Sequence, residues 1–130
     1  MTMEADMPDR IRQMPLLDVA QLDMLREALD EDELQAMLSE LPQTAMQAID
    51  AIEHAVQTND LDGARRAAHV LKGVASSFGA ARLAEMAREI ELDMATIDRV
   101  AACVPELIAT VERTAAAFSG GVRPADHVTS

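Results

Sequence analysis

The stretch Ala68–Leu83, AHVLKGVASSFGAARL, decides the fold of this chain because it is the centre of a long amphipathic segment. When the segment is drawn as a helix with about 100° per residue, its apolar side chains gather on one side. They fall within roughly 140° of arc, which is typical of a helix that packs against other helices. The pattern predicts a helix over about residues 61–78 with one face in a core. The apolar residues are Leu61, Ala64, Ala67, Ala68, Leu71, Val74, Ala75 and Phe78.

The opposite face of this predicted helix carries His69, roughly 160° from the centre of the apolar stripe and therefore directed to solvent. Its neighbours at i−4, i+3, i+4 and i+7 are Arg65, Lys72, Gly73 and Ser76. Imidazole can act as a nucleophile near neutral pH, because one ring nitrogen is largely unprotonated there. Cations beside it can neutralise phosphate oxygens. The arrangement indicates a site that carries a phosphoryl group.

The run HVLKG at residues 69–73, followed by Gly79 and Leu83, resembles the signature of histidine-containing phosphotransfer (Hpt) domains. A weaker likeness extends over residues 17–118. Val74 departs from the pattern, since many family members carry a serine there, but it lies on the core side of the helix. The resemblance implies that a response regulator receiver domain, phosphorylated on aspartate, donates its phosphoryl group to His69. A second receiver domain would then accept the group.

Two neighbours of His69 have a predicted role in this transfer. Lys72 would stabilise the charge of the phosphate oxygens. Gly73 would give clearance to the partner, because any side chain one turn from His69 would crowd its approach. A glycine inside a helix costs about 1 kcal/mol relative to alanine, so its presence there needs a reason of this kind.

Further residues are expected to contact the partner. Arg65, Arg66 and Arg82 are candidates for a positive patch, and Ser76 lies on the same face as His69. Apolar contacts are expected as well, because the cores of protein interfaces are usually depleted in charge. Apolar candidates on a short N-terminal helix are Val19, Met24 and Ala28.

The rest of the chain consists of amphipathic segments separated by short polar connections. Asp18 can cap the short N-terminal helix, and Gly79 can end the histidine helix because glycine adopts the left-handed conformation without strain. Pro42 is expected to kink, and not to end, the helix that contains it. Besides the histidine helix, the predicted helices cover about residues 19–29, 32–58, 81–94 and 97–118.

Short connections between long helices imply that neighbouring helices are antiparallel. The predicted fold is therefore all-α, an antiparallel up-and-down four-helix bundle with an additional short N-terminal helix. Residues 16–119 are expected to form the domain. A flexible leader over residues 1–15 and a flexible tail over residues 120–130 would flank it.

Composition narrows the class of protein. The chain has 130 residues, which suits one domain, and it is 49% hydrophobic with two Phe and no Tyr or Trp. The formal net charge of −12 argues against nucleic acid or an anionic membrane surface as partner, since both require basic patches. No apolar run approaches ~20 residues, and the N-terminus lacks the layout of a secretion signal. We expect a cytoplasmic monomer, in which the one cysteine, Cys103, forms no intrachain disulfide.

The sequence also bears on cofactors and partners. No GxxxxGK[ST] loop is present, so the chain should relay phosphate without taking it from ATP. The three histidines have no metal-binding spacing, and no cofactor is expected in this chain. By resemblance, the receiver domain would supply Mg²⁺, and a hybrid sensor histidine kinase is a further expected partner.

Two other classes of protein are alternatives. One docks to receiver domains, and the other places a histidine on a helix. A helical adaptor or decoy would bind receiver domains without phosphoryl chemistry, but it would not need the nucleophile His69. The dimerisation domain of a histidine kinase usually carries an acidic residue directly after its histidine, whereas Val70 stands there. His54 serves as an internal comparison, because its helical neighbours include no cation and no glycine, which indicates an ordinary surface histidine.

Overall fold

Helices and short connections make up the part of the chain described by a computed structural model, which covers the backbone of residues 7–121 and the side chains of residues 7–118. Three short helices precede four longer ones. They are α1 (Asp9–Arg12), α2 (Val19–Ala28), α3 (Glu31–Ser39), α4 (Leu41–Gln57), α5 (Leu61–Ser77), α6 (Ala81–Leu92) and α7 (Ile97–Gly121). Within the described residues, no helix combines the length and apolar character needed to span a bilayer.

The four longer helices form the predicted antiparallel bundle. Each packs against the next along the chain, and α7 returns to pack against α4, which closes the ring. Their apolar stripes meet in one core. On α5 this stripe is mostly alanine, which allows the neighbouring helices to approach its backbone closely. Fully buried side chains from all four helices include Ile49, Ile52, Leu71, Leu83, Ile90 and Leu107.

The prediction of one kinked helix over residues 32–58 is wrong, because the chain ends α3 at Ser39 and starts α4 at Leu41. Pro42 has no N–H to donate, and its ring would clash with the carbonyl of Leu38 in a continuous helix. Proline is well tolerated in the first turn of a helix, which is where it lies in α4. Leu38 and Leu41 are both buried, so the apolar stripe continues although the helix does not.

The predicted leader over residues 1–15 is corrected in its described part. Residues 9–12 form α1, and Met7 and Ile11 are buried in the core. The guanidinium of Arg12 donates to both carboxylate oxygens of Glu106 on α7, at 2.8 and 3.0 Å. This N-terminal segment is therefore part of the fold, whereas residues 1–6 lie outside the described residues.

The C-terminal end also differs from the prediction. Helix α7 continues to Gly121, whereas the predicted helix ended at about residue 118 and the predicted domain at residue 119. Of the predicted tail over residues 120–130, residues 122–130 lie outside the described residues. Residues 120 and 121 of the predicted tail thus belong to α7.

The connections on either side of α5 set its position in the bundle. Asp60 caps the helix by accepting a hydrogen bond from the amide of Gly63 at 2.8 Å. Gly79 has a φ of +73°, the left-handed conformation predicted for it, and directs the chain into α6. Helix α6 consequently runs back along α5, in contact with it over much of its length.

Candidate functional site

His69 lies on the solvent side of α5, as its phase in the helix predicts. Its side chain is 64% exposed, while its neighbours Ala68 and Leu71 are fully buried. The imidazole is therefore open to solvent, where a second protein can reach it.

Glu91 on α6 is the residue of this site that sequence reasoning missed. One of its carboxylate oxygens, Oε2, lies 2.8 Å from Nδ1 of His69. The other, Oε1, lies 2.8 Å from the ammonium nitrogen of Lys72. One carboxylate thus connects the predicted nucleophile and the predicted phosphate-binding cation.

The fold accounts for this contact. In two antiparallel helices joined by a short connection, residues equally far from the connection face each other, and His69 and Glu91 are equally far from Ala80. Glu91 also follows Ile90, a core residue, so it lies at the edge of the apolar stripe of α6. The sequence contains both signals, but the contact itself depends on how α6 packs against α5.

Glu91 is held in its charged form. The hydrogen bond from Lys72 lowers its pKa below the ordinary value of 4.5, and the hydrogen bond from His69 acts in the same direction. Burial opposes both effects because it disfavours a charge. The balance leaves a carboxylate anion next to the imidazole at neutral pH.

Gly73 is exposed one turn after His69. A Cβ added to it would meet no atom within 4 Å. Packing inside the protein therefore does not require glycine at this position. The open backbone is consistent with clearance for a partner.

The predicted cations have different surroundings. Arg66 is 75% exposed and lies at 4.0 Å from Asp60, which leaves it accessible to a partner. Arg65 donates a hydrogen bond at 3.0 Å to the carbonyl of Met94, just after α6, and so holds the end of that helix.

Arg82 does not join the predicted positive patch. Its guanidinium donates two hydrogen bonds, at 2.8 and 2.6 Å, to the carbonyl of Met14 in the N-terminal segment. It is also 13 positions from His69 in sequence and lies at the connection end of α6. Its position is set by the fold of the N-terminal segment, which sequence spacing does not show.

Helix α2 packs at the C-terminal end of the histidine helix. The amide of Asp18 donates to the carbonyl of Gly79 at 2.8 Å, and the side chain of Gln21 donates to the carbonyl of Ser76 at 2.7 Å. Asp18 also caps α2 as predicted, by accepting from the amide of Gln21. Ser76 is exposed, and so are the three α2 residues predicted to contact a partner, Val19, Met24 and Ala28.

The structure adds two apolar residues beside the histidine. Val70 and Leu92 are 56% and 54% exposed, and together they form an apolar patch next to His69. With Arg65, Arg66, His69 and Glu91 they line an open groove of about 510 Å³. Val70 is an apolar residue next to His69 on α5, so the sequence already indicated part of this patch.

Among residues 7–118, no three His, Cys, Asp or Glu side chains are grouped so that they could hold a metal ion. The groups that the structure places together at the site are the imidazole of His69, the carboxylate of Glu91 and the ammonium group of Lys72.

Comparison with known proteins agrees with this geometry. The family model described as the Hpt domain matches residues 36–117, which is more than half of the chain and covers α4, α5 and α6 completely. No curated protein and no solved structure gives a significant match. The histidine helix and its neighbours thus fall within the match, while α1 and α2 precede it. The chain belongs to the Hpt domain family.

Proposed function

We propose that this chain is a phosphorelay intermediate in which His69 accepts a phosphoryl group from the phospho-aspartate of one receiver domain and passes it to another. The family supports the general part of this statement, since Hpt domains act in phosphotransfer within two-component phosphorelays and interact with response regulator receiver domains. The assignment to His69 and the passage from receiver to receiver are our proposal.

The observation that carries the proposal is the exposure of His69 on the solvent face of α5, beside an open backbone at Gly73. The phosphorus atom of a phospho-aspartate lies in a pocket of the partner, so the attacking nitrogen must project from its own protein. A rigid helix with no side chain at Gly73 allows this approach. Phosphoryl transfer depends mostly on positioning and charge stabilisation, which such a docked complex can provide.

Lys72 is the cation that we assign to the phosphoryl oxygens. It lies one turn from His69, and its flexible side chain can turn from Glu91 to a phosphoryl group on the imidazole. We expect the Mg²⁺ needed for reaction at the aspartate to belong to the receiver domain. No cofactor of this chain enters the proposed reaction.

The docking surface that we propose has a polar centre and apolar flanks. Val70 and Leu92 lie next to His69, while Val19 and Met24 on α2 lie toward the C-terminal end of α5. Arg66 has a more exposed side chain than Arg65 and Lys72. The proposed partners are receiver domains, including that of a hybrid sensor histidine kinase, and we propose that the chain acts as a monomer in the cytoplasm.

The experiment that tests this function is incubation of the purified protein with phosphorylated receiver domains from the same organism, ranked by initial rate of transfer. Mass spectrometry of the product identifies the modified residue. Transfer to His69 and onward to a second receiver supports the proposal. A helical adaptor would bind the same receivers without taking up phosphate, and that result would overturn it.

A further inference from the structure

Gln21 connects helix α2 to the end of the histidine helix. Its side-chain amide donates a hydrogen bond at 2.7 Å to the carbonyl oxygen of Ser76 and a longer one, at 3.4 Å, to that of Ser77. Both carbonyls belong to the last turn of α5, where carbonyls have no partner within the helix itself. Ser76 follows His69 by seven residues. The contact therefore lies about two turns, or roughly 10 Å, along α5 from the imidazole.

A second connection fixes the beginning of α2. The amide of Asp18 donates to the carbonyl of Gly79 at 2.8 Å, while the side chain of Asp18 caps α2. This contact fixes the point where α2 begins, but a single point leaves the direction of a helix undetermined. Gln21 lies one turn further along α2 and supplies a second point of attachment to the same end of α5.

Apolar packing defines the direction of α2 only loosely. Leu22 is the buried residue of this helix, and Leu25 and Leu29 are half-buried against the core. An open groove of about 160 Å³ lies at the junction, lined by residues of α2, α5 and α6 that include Gln21. Apolar contacts have no preferred direction, whereas a hydrogen bond requires a narrow range of distance and angle. The amide of Gln21 therefore restricts how α2 can turn about its beginning.

We propose that Gln21 is a positioning residue for docking of the receiver domain: its hydrogen bonds to the end of α5 set the direction of α2 and so place Met24 relative to His69. This inference rests on the proposed function, in which α2 forms part of the docking surface. Met24 follows Gln21 by three residues, which makes their side chains neighbours on the helix surface. Met24 is 66% exposed, whereas Gln21 is half-buried. Gln21 thus acts on the partner through Met24.

The chemistry of this contact requires an N–H donor. Carbonyl oxygens only accept hydrogen bonds, so the NH₂ group of Gln21, and not its oxygen, faces Ser76 and Ser77. Glutamate would offer only acceptors, and the negative end of α5 would repel its charge. Methionine is neutral and similar in length to glutamine, but it has no N–H. Gln21→Met therefore removes both hydrogen bonds with little change in shape or charge.

Two other roles of Gln21 would give different results. If Gln21 only caps α5, its loss lowers the free energy of unfolding, but the folded protein binds a receiver as strongly as before. If Gln21 itself contacts the receiver, its loss and the loss of the Met24 side chain have additive effects on the free energy of binding. A positioning role makes the two effects depend on each other, because Gln21 is useful only when Met24 is there to be placed.

The test measures the affinity of an unphosphorylated receiver domain by calorimetry for Gln21→Met, Met24→Ala and the double variant. Gln47→Met, the same substitution at an exposed position on α4, is the matched control. The rate of transfer from the phosphorylated receiver, measured over a range of receiver concentrations, gives KM and the maximal rate separately. Thermal unfolding confirms that each variant is folded, and Gln21→Ala replaces the methionine variant if that one unfolds.

We expect Gln21→Met to weaken receiver binding and raise KM by about two- to tenfold, the range for one lost hydrogen bond, with a smaller change in the maximal rate. In the Met24→Ala background the same substitution should have a smaller effect on affinity. Unchanged affinity, a loss no larger than that of Gln47→Met, or full additivity with Met24→Ala would overturn the inference. A wild-type protein that binds receivers without taking up phosphate would instead overturn the proposed function, and the affinities would still decide the role of Gln21.

Discussion

The ammonium nitrogen of Lys72 lies 2.8 Å from Oε1 of Glu91, so a cation proposed to bind phosphate is already paired across the interface of α5 and α6. To bind a phosphoryl group on His69, Lys72 must weaken or share this pair. Its contribution to transfer is then the free energy of its contact with the phosphoryl group minus that of its contact with Glu91. Glu91 contacts both residues, so a change at Glu91 alters the surroundings of each.

The first prediction concerns the phosphorylated residue. Replacing His69 by Gln should abolish phosphate uptake from a phosphorylated receiver, because the nucleophilic nitrogen is lost. His54→Gln is the matched control, since His54 is exposed on α4 and lies outside the groove beside His69. Mass spectrometry of both variants after the reaction provides the measurement, and label that persists in His69→Gln would refute the assignment.

Gly73 is expected to matter for docking more than for folding. Gly73→Ala should raise the free energy of unfolding by up to about 1 kcal/mol, because alanine favours a helix and its Cβ would enter open space. Gly73→Gln should slow transfer from a receiver domain, since the longer side chain blocks the approach. Urea unfolding and stopped-flow transfer give the two quantities.

The same two variants also test whether Gly73 acts by leaving room for the receiver domain. Phosphoramidate is small enough to reach His69 in either of them, so its rate should change little. A Gly73→Gln variant that accepts phosphate from the receiver at the wild-type rate would show that Gly73 is not needed for clearance.

The third prediction follows from the lowered pKa of Glu91, which hydrogen bonds from Lys72 and His69 produce. Because the pKa in the folded state lies below the ordinary value of 4.5, the contacts of Glu91 add stability above that pH. The added stability is lost as the pH falls below 4.5 through the folded pKa. The difference in unfolding free energy between wild type and Glu91→Gln should therefore shrink on acidification.

Glu89 provides a control of opposite sign on the same helix. Its pKa is raised, first by burial and then by the charge of Asp93. Relative to Glu89→Gln, the wild-type protein should lose stability as the pH rises above 4.5, because the disfavoured charge then forms. Urea unfolding at a series of pH values measures both differences, and equal pH trends for the two variants would contradict the prediction.

The N-terminal segment should contribute to stability. Ile11 is fully buried, so Ile11→Ala should lower the free energy of unfolding by about 2–5 kcal/mol. Gln13→Ala is the matched control because Gln13 is exposed nearby on the same segment. Chemical denaturation of both variants tests this, and a stable Ile11→Ala variant would mean that the segment packs without stabilising the bundle.

The last prediction concerns recognition of the receiver. The chain has a net charge of −12, so attraction between whole molecules cannot drive the encounter with an acidic pocket. Exposed charges are screened beyond about 8–10 Å at ordinary salt. We therefore expect modest salt dependence, and a larger loss of affinity for Met24→Ala or Leu92→Ala than for Arg66→Ala.

Calorimetric titration of the receiver at low and high salt measures these effects. Ala28 is exposed on the same helix as Met24. Its side chain is already that of alanine, so this series of substitutions does not test it. Loss of binding at high salt, with both apolar variants unaffected, would show that charge dominates recognition.

Much of the bundle could be predicted from the sequence because its signals are local. The phase of apolar residues along α5 placed His69 in solvent and Leu71 in the core, and both positions are confirmed. Asp18 at the start of α2 and Gly79 at the end of α5 were also predicted correctly. Caps, turns and amphipathic periodicity depend on residues a few positions apart, which is why a single sequence reveals them.

Only the tertiary structure decided which distant residues meet. Glu91 reaches His69 because α6 folds back along α5, and Arg82 turns to Met14 because the N-terminal segment packs beside α6. The break before Pro42 was likewise not predicted from the apolar pattern, because Leu38 and Leu41 are both buried and the stripe continues across the broken helix. The sequence by itself determined that His69 lies on the solvent face of α5, because that position follows from helical periodicity. The fold determined that the carboxylate of Glu91 meets the imidazole of His69, because contacts between helices depend on how they pack and not on spacing along one of them.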